Sequence, residues 1–476
     1  MAVATPTPSA RSGTAPAAGE SPPSTAVLTF FLVGAGLLAL GALIHLVTAV
    51  QQVAPGWLTL NAATSVGRLR PAGLSLITYG GFGLLATGAA VVLTRRMSRA
   101  APQLDVVARG AGALITLSVV VGTLAVLMGH GTGRPGFELP RPLSIPLAVG
   151  LTVVAALVTR QLAVRRDDDL HPAGWFLAAG ALAGPMVLLV GTLPRVSGVN
   201  DEIVLAFAGS STVLLWLVSV GLGALHYMVP RTCRTPLHSR QLAVIGFWGW
   251  VVFAPLAGAG RLVSGPSQEW LESIGVAATI GLVIPALAIA LNIFLTYAHR
   301  TSRAQPADLR LALLGTGLFL GWAVLGALTA GRTAADLLGA TVHAEGLREF
   351  GLLGVAGALL GAAALHAVPD AAGFRSAAPS RGAAATSWLL GGGIAVVVMS
   401  LLAAGFVQGA LWRAGVGNGV DGVTVGAGWQ QVTDAIRPLL WARVVGEALV
   451  ATGFIALFSQ VFSTATSAEP AAGSDG

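Results

Sequence analysis

Residues 203–262 read IVLAFAGSSTVLLWLVSVGLGALHYMV, then PRTCRTPLHSR, then QLAVIGFWGWVVFAPLAGAGRL. Two long apolar runs flank a short segment rich in arginine and broken by Pro230 and Pro236. A hydrocarbon core about 30 Å thick is spanned by about 20 apolar residues of helix. Neither run alternates apolar with polar, so the segment reads as two membrane helices joined by a polar turn. The same texture fills the chain. Of 476 residues 54% are hydrophobic and 10% charged, with a mean hydropathy of +0.78, whereas soluble domains carry about 25% charged residues. Backbone polar groups in lipid are satisfied only by helices or closed barrels, and these runs select helices. The expectation is an all-α polytopic membrane protein.

Reading outward from that pair, twelve spans fall near 27–50, 72–94, 107–129, 143–164, 173–193, 203–229, 241–262, 271–297, 310–330, 350–368, 386–408 and 438–461. Residues 1–24 and 464–476 read as disordered tails around one membrane domain, 25–463, with no cleaved signal peptide. All 27 basic residues are arginine. They spread over loops, which argues against a nucleic-acid partner. They concentrate in the even-numbered loops: Arg95, Arg96 and Arg99; Arg165 and Arg166; Arg231, Arg234 and Arg240; Arg300 and Arg303; Arg375 and Arg381. Positively charged loops stay in the cytoplasm, so both termini are expected inside the plasma membrane.

Glycines within spans, such as Gly80, Gly81, Gly83 and Gly88 or Gly391, Gly392 and Gly393, suit close helix packing. Pro185, Pro255 and Pro285 should kink their helices. No internal repeat is visible, against a secondary transporter. A lone cysteine, Cys233, leaves the eight histidines as the soft-metal or haem ligands on offer and excludes a c-type haem attachment pair.

More specific motifs then accumulate in order. Gly67-Arg68-Leu69-Arg70-Pro71 precedes the second span. Tyr227-Met228-Val229-Pro230 closes the sixth, followed by Pro236, Ser239 and Phe247-Trp248. Pro285 and Asn292 mark the eighth, His366-Ala367-Val368-Pro369 the end of the tenth, and Gln408-Gly409-Ala410-Leu411-Trp412-Arg413-Ala414 the eleventh. Ile436-Arg437-Pro438 and Arg443 follow in the last. Over roughly residues 27 to 461 this pattern resembles the catalytic subunit I of cbb-type cytochrome c oxidases and the related nitric oxide reductases, the haem-copper oxidase superfamily. The resemblance implies its twelve-helix bundle.

It also implies a low-spin haem, a high-spin haem and copper, held by histidines with a tyrosine beside them. At those positions this chain departs from the family. Gly73 stands where the first haem histidine belongs, Ser210, Gly260 and Arg261 at the copper positions, Ala254 at the tyrosine, and Leu347 and Glu349 at the haem histidines of the tenth helix. An arginine does not deprotonate to ligate a metal. The expectation is a fold without its redox centre, with no cofactor at the family positions: a non-catalytic partner or small-molecule-binding subunit.

Two alternatives stay open. One is an oxidase or nitric oxide reductase relative that binds haem through an unconventional ligand, with His343 as the candidate. The other is a channel or transporter that lines the emptied cavity with Arg261 and Glu349, which are expected to pair. Arg68, Arg70, Arg413 and Arg437 lie at outer helix ends, where the family holds haem propionates. Guanidinium forks suit carboxylates, and lipid phosphate is the competing ligand. His45, His130 and His343 read as separate interfacial residues without acidic neighbours, and His226, His238, His299 and His366 as histidines of the cytoplasmic side. Arg443 and Glu447, one turn apart, are expected to pair. Partners are the lipid bilayer and other membrane or respiratory subunits.

Overall fold

The structure is a computed structural model that describes residues 25–98, 105–165, 169–193, 196–372, 383–417 and 428–466. The reading of residues 1–24 as a tail, Arg99, Arg166, Arg375 and Arg381 lie outside them, as do residues 467–476.

Twelve helices are long and apolar enough to cross a membrane. They are α1 (Val27–Val53), α2 (Val66–Met97), α3 (Asp105–Leu127), α4 (Arg141–Ala163), α5 (Pro172–Thr192), α6 (Val199–Cys233), α7 (Arg240–Leu262), α8 (Glu269–Ala298), α9 (Ala307–Thr329), α10 (Val342–Ala371), α11 (Ala384–Arg413) and α12 (Trp429–Thr466). Every expected span is present, and the disagreements are at ends. α10 begins at Val342, because Thr341 accepts the His343 N–H and Gln408 of α11 accepts the Val342 N–H, so the polar residues before Phe350 are already helical. α12 runs on both sides of its expected limits, with Pro438 inside it. The helix continues to Thr466, past the expected domain end at 463.

The most enclosed helices are α2, α6 and α10, with 100%, 67% and 89% of their apolar windows buried. Each contains seven residues of wide π-type turns, Leu76–Phe82, Thr212–Val218 and Phe350–Ala356. Such turns widen a helix locally and are common at functional sites. All three pack on one another through glycine. A Cβ added at Gly83 would stand 3.2 Å from Trp216, one at Gly357 3.5 Å from Phe82, and one at Gly221 2.6 Å from Leu359. Helix backbones in lipid approach this closely only over small residues, so the centre of the bundle is filled by side chains in contact.

The arginine-rich loops share one face. Ser98 and Arg165 form an isolated antiparallel bridge, Arg240 Nη1 donates to Asp169 at 2.8 Å, and Thr301 N–H donates to the Cys233 carbonyl at 3.1 Å. Asp169 is exposed, and its hydrogen bond from Arg240 holds its carboxyl below the usual carboxylate range.

Candidate functional site

The motif residues that carry the resemblance hold helix ends together. Asn292 of α8 accepts the Ser239 N–H and donates to the Ser239 carbonyl, both at 2.9 Å, while the Ser239 hydroxyl caps Leu242. Gln408 caps α10. At Gly409 a Cβ would lie 2.1 Å from the Leu337 carbonyl, so only glycine admits that approach. His366 hydrogen-bonds Asp308 of α9 at 2.8 Å. These are packing and capping roles.

The candidate site lies where α1, α10 and α12 meet. His45 Nε2 is 3.1 Å from Glu349 Oε1 and 3.4 Å from Glu447 Oε1, and all three residues are buried. Arg443 Nη2 reaches Glu349 Oε1 at 2.6 Å and Glu345 Oε1 at 2.9 Å, its Nε stands 3.6 Å from Glu447 Oε1, and its Nη1 donates to Gln52. Arg70 of α2 closes the outer end with 2.7 Å to Glu345. Helical period explains the assembly, because Glu345 and Glu349 are one turn apart on α10, as are Arg443 and Glu447 on α12. Each pair therefore presents one face to the other. Burying such charges is tolerable only when they are paired.

Sequence reading placed Arg443 beside Glu447, and they are neighbours, but the shorter contacts of Arg443 go to Glu349 and Glu345. The missed member is His45, expected to lack acidic neighbours and found between two glutamates 304 and 402 positions away in sequence. The one available signal was polarity inside an apolar span, and His45, Glu349, Arg443 and Glu447 all carried it.

The other predicted residues separate. Glu349 is held by Arg443, whereas Arg261 is exposed at the end of α7 and forms no ion pair with it, so the expected Arg261–Glu349 pair does not exist. Arg68 donates to the Leu127 carbonyl at 3.1 Å. Arg437 is 3.7 Å from Asp434 on the protein surface, and Arg413 is exposed. His343 sits in the first turn of α10, not in a loop, buried with its backbone against Gly405. His130 is exposed as expected. His226 is fully buried, stacked on Phe176 at 5.0 Å with Nδ1 2.8 Å from the Leu222 carbonyl. His238 and His299 stack at 5.4 Å near the surface. In the loop after α3, burial pushes the Glu138 carboxyl up, against the Gly136 N–H and the charges of Arg348 and Arg70.

Apart from Arg261, the positions that the resemblance gives to metal ligands are engaged in packing or pairing. A Cβ on Gly73 would meet Ile44 at 2.9 Å. Ser210 donates to the Ala206 carbonyl of its own helix at 2.8 Å, and a Cβ on Gly258 of α7 would fall 2.2 Å from Ser210 Oγ and 2.4 Å from the Ala206 carbonyl. Gly260 packs against Gly275 of α8. Ala254 is buried, and the Leu347 carbonyl accepts the Trp322 indole N–H at 2.9 Å. Among the described residues, His45, Glu349 and Glu447 alone bring at least three metal-capable side chains together, their donor atoms within 4.8 Å. Arg443 already occupies Glu349 Oε1 and adds fixed positive charge, which opposes a cation there.

A sequence model of the family described as "Cytochrome C and Quinol oxidase polypeptide I" matches residues 25–449. The chain is 24% identical over 423 residues to the cbb3-type cytochrome c oxidase subunit CcoN1 of Stutzerimonas stutzeri, covering 86% of this chain and 88% of that one. It is likewise 24% identical over 447 residues to a cytochrome c oxidase subunit 1 homolog of Azorhizobium caulinodans, covering 90% and 80%. Among solved structures, a haem-copper terminal oxidase dimer superposes with a TM-score of 0.70 at 14% identity, over 94% of this chain and 85% of that one, a likeness of fold.

Proposed function

Because the chain belongs to the cytochrome c and quinol oxidase polypeptide I family, we propose that it is a subunit I-type protein of the plasma membrane that is redox-inactive and serves as a non-catalytic partner subunit in a membrane assembly. The observation that carries this reading is Glu349. At a position where the family pattern has a haem histidine, its carboxylate is committed to Arg443 at 2.6 Å and His45 at 3.1 Å. The residues at the other ligand positions, glycine, alanine, serine, leucine and an exposed arginine, do not fit haem iron or copper, which take imidazole, thiolate, thioether or phenolate donors. The rival with His343 as haem ligand supplies one imidazole and leaves the opposite axial position to none of the residues that the pattern would use.

In this reading the protein keeps the family's surface and helix ends while the interior is repurposed for stability. Arg68 and Arg70 serve helix–helix contacts in place of propionates, and Arg413 and Arg437 face the lipid headgroups or a partner. The arginine-rich face is cytoplasmic, with both termini on that side. Relatives that are oxidase subunits supply the class of partner, other respiratory membrane subunits.

Turnover tests this directly. Membranes carrying the protein in a host without terminal oxidases should consume neither oxygen nor nitric oxide above the vector control, given reduced cytochrome c or a quinol. Consumption that scales with the amount of the chain would overturn the proposal.

A further inference from the structure

The buried cluster between α1, α10 and α12 does not balance. Glu345, Glu349 and Glu447 bring three negative charges, and Arg70 and Arg443 bring two positive ones. At the rim, Arg348, 4.0 Å from Glu345, and Glu138, within electrostatic reach of both Arg348 and Arg70, add one charge of each sign and leave the deficit unchanged. The remaining titratable member is His45. Of the other helices packed here, α11 carries Arg413 alone among charged groups, exposed at its outer end, and Gln52 of α1 is neutral. With His45 neutral, the interior holds one uncompensated negative charge in a low-dielectric setting, which burial strongly disfavours.

A second observation points to the same vacancy of charge. Glu349 Oε2, Glu447 Oε1, His45 Nδ1 and Arg443 Nε are buried without hydrogen-bond partners. His45 and the two carboxylates have their donor atoms within 4.8 Å of one another. The one guanidinium of Arg443 is shared among Glu345, Glu349 and Glu447, so the close pair Glu349 and Glu447 still favours a further proton or cation between them.

We propose that the His45–Glu349–Glu447 triad is a proton-binding site that holds one proton beyond those of a neutral imidazole. A proton balances the cluster, whereas a divalent metal would reverse the deficit to an excess beside the fixed charge of Arg443. The proton belongs to the coupled triad and not to a single atom. It exchanges with water through the outer rim, where exposure falls from 35% at Arg348 and 30% at Arg70 through 15% at Glu345 to 1–2% at the triad. The inference rests on the reading that no haem fills this region.

The test is infrared difference spectroscopy of the purified full chain in nanodiscs between acidic and alkaline buffers, in H2O and D2O. A protonated-carboxyl or imidazolium band that shifts in D2O is expected in the wild type. It should vanish in Glu447→Gln, in which two carboxylates face two arginines. The unfolding temperature should fall on the alkaline side in the wild type and stay level in Glu447→Gln. If Glu447→Gln does not fold, His45→Lys, which supplies the charge through an ammonium group, should remove the same band. A band unchanged in a folded variant overturns the proposal, as does one equivalent of bound divalent metal per chain that the variant loses. A haem spectrum in the sample would instead overturn the reading beneath it, while a haem-free protein with no titrating band overturns the proton site alone.

Discussion

Two interfaces that contain positions given by the family pattern to metal ligands are packed by opposite means. Between α1, α10 and α12 the space is filled with charge: three glutamates, two arginines and a histidine pack with contacts down to 2.6 Å. Between α6, α7 and α8 it is removed. Gly258 and Gly260 bring α7 onto the α6 backbone at Ala206 and onto Gly275 of α8, so no room for a side chain remains. The contrast teaches two ways in which a helix bundle fills an interface. An interface lined by long side chains needs polar atoms that satisfy one another, and one lined by glycines closes by approach of backbones.

The largest effect should come from removing the cation at the centre of the charged interface. Arg443→Met leaves Glu349 and Glu345 without their shared partner, and breaking a buried ion pair costs about 3–5 kcal/mol. Thermal unfolding in detergent and recovery of monodisperse protein measure it, and wild-type stability in that variant would mean that charge does not hold α10 to α12. On the other interface, Gly258→Ala should cost about 1–3 kcal/mol through overpacking. Ser210→Ala in the same background should fail to rescue it, because the Ala206 carbonyl still blocks the added methyl. Ser210→Ala alone should stay within about 0.5 kcal/mol, since its hydroxyl bonds only carbonyls of its own helix.

The smallest effect belongs to the exposed Asp169–Arg240 pair. Asp169 titrates lower when folded, so whatever the pair contributes is present above the ordinary carboxylate range and is lost as the pH falls through the folded value. Arg240→Ala should lower the unfolding temperature only marginally at neutral pH, where an exposed pair contributes little, and should coincide with wild type at the acid end, where the pair is already lost. A clear loss at neutral pH would show that surface pairs matter here as much as the buried one.

Much of the fold was legible because hydropathy reports lipid contact directly, and all twelve spans follow from it. The start of α10 was legible only in part, since its apolar run was read from residue 350 and the partners of Glu345 and Glu349 on α2 and α12 leave no mark in sequence. The π-type turns leave no mark in composition. For the site, Glu349 and Arg443 stood out as polar residues in apolar surroundings. Their pairing was hidden because it depends on which faces of α1, α10 and α12 turn inward, and the same ambiguity put Arg261 beside Glu349 when it lies exposed on α7.

The central claim is that charge and close packing occupy the space in which the family pattern would hold haem and copper. Its most direct test is the haem and metal content of the purified, folded protein, from a reduced-minus-oxidised absorption spectrum and elemental analysis on one sample. The account predicts no Soret band and no stoichiometric iron or copper. One haem per chain, with a bis-imidazole spectrum abolished by His343→Ala or His45→Ala, would contradict it.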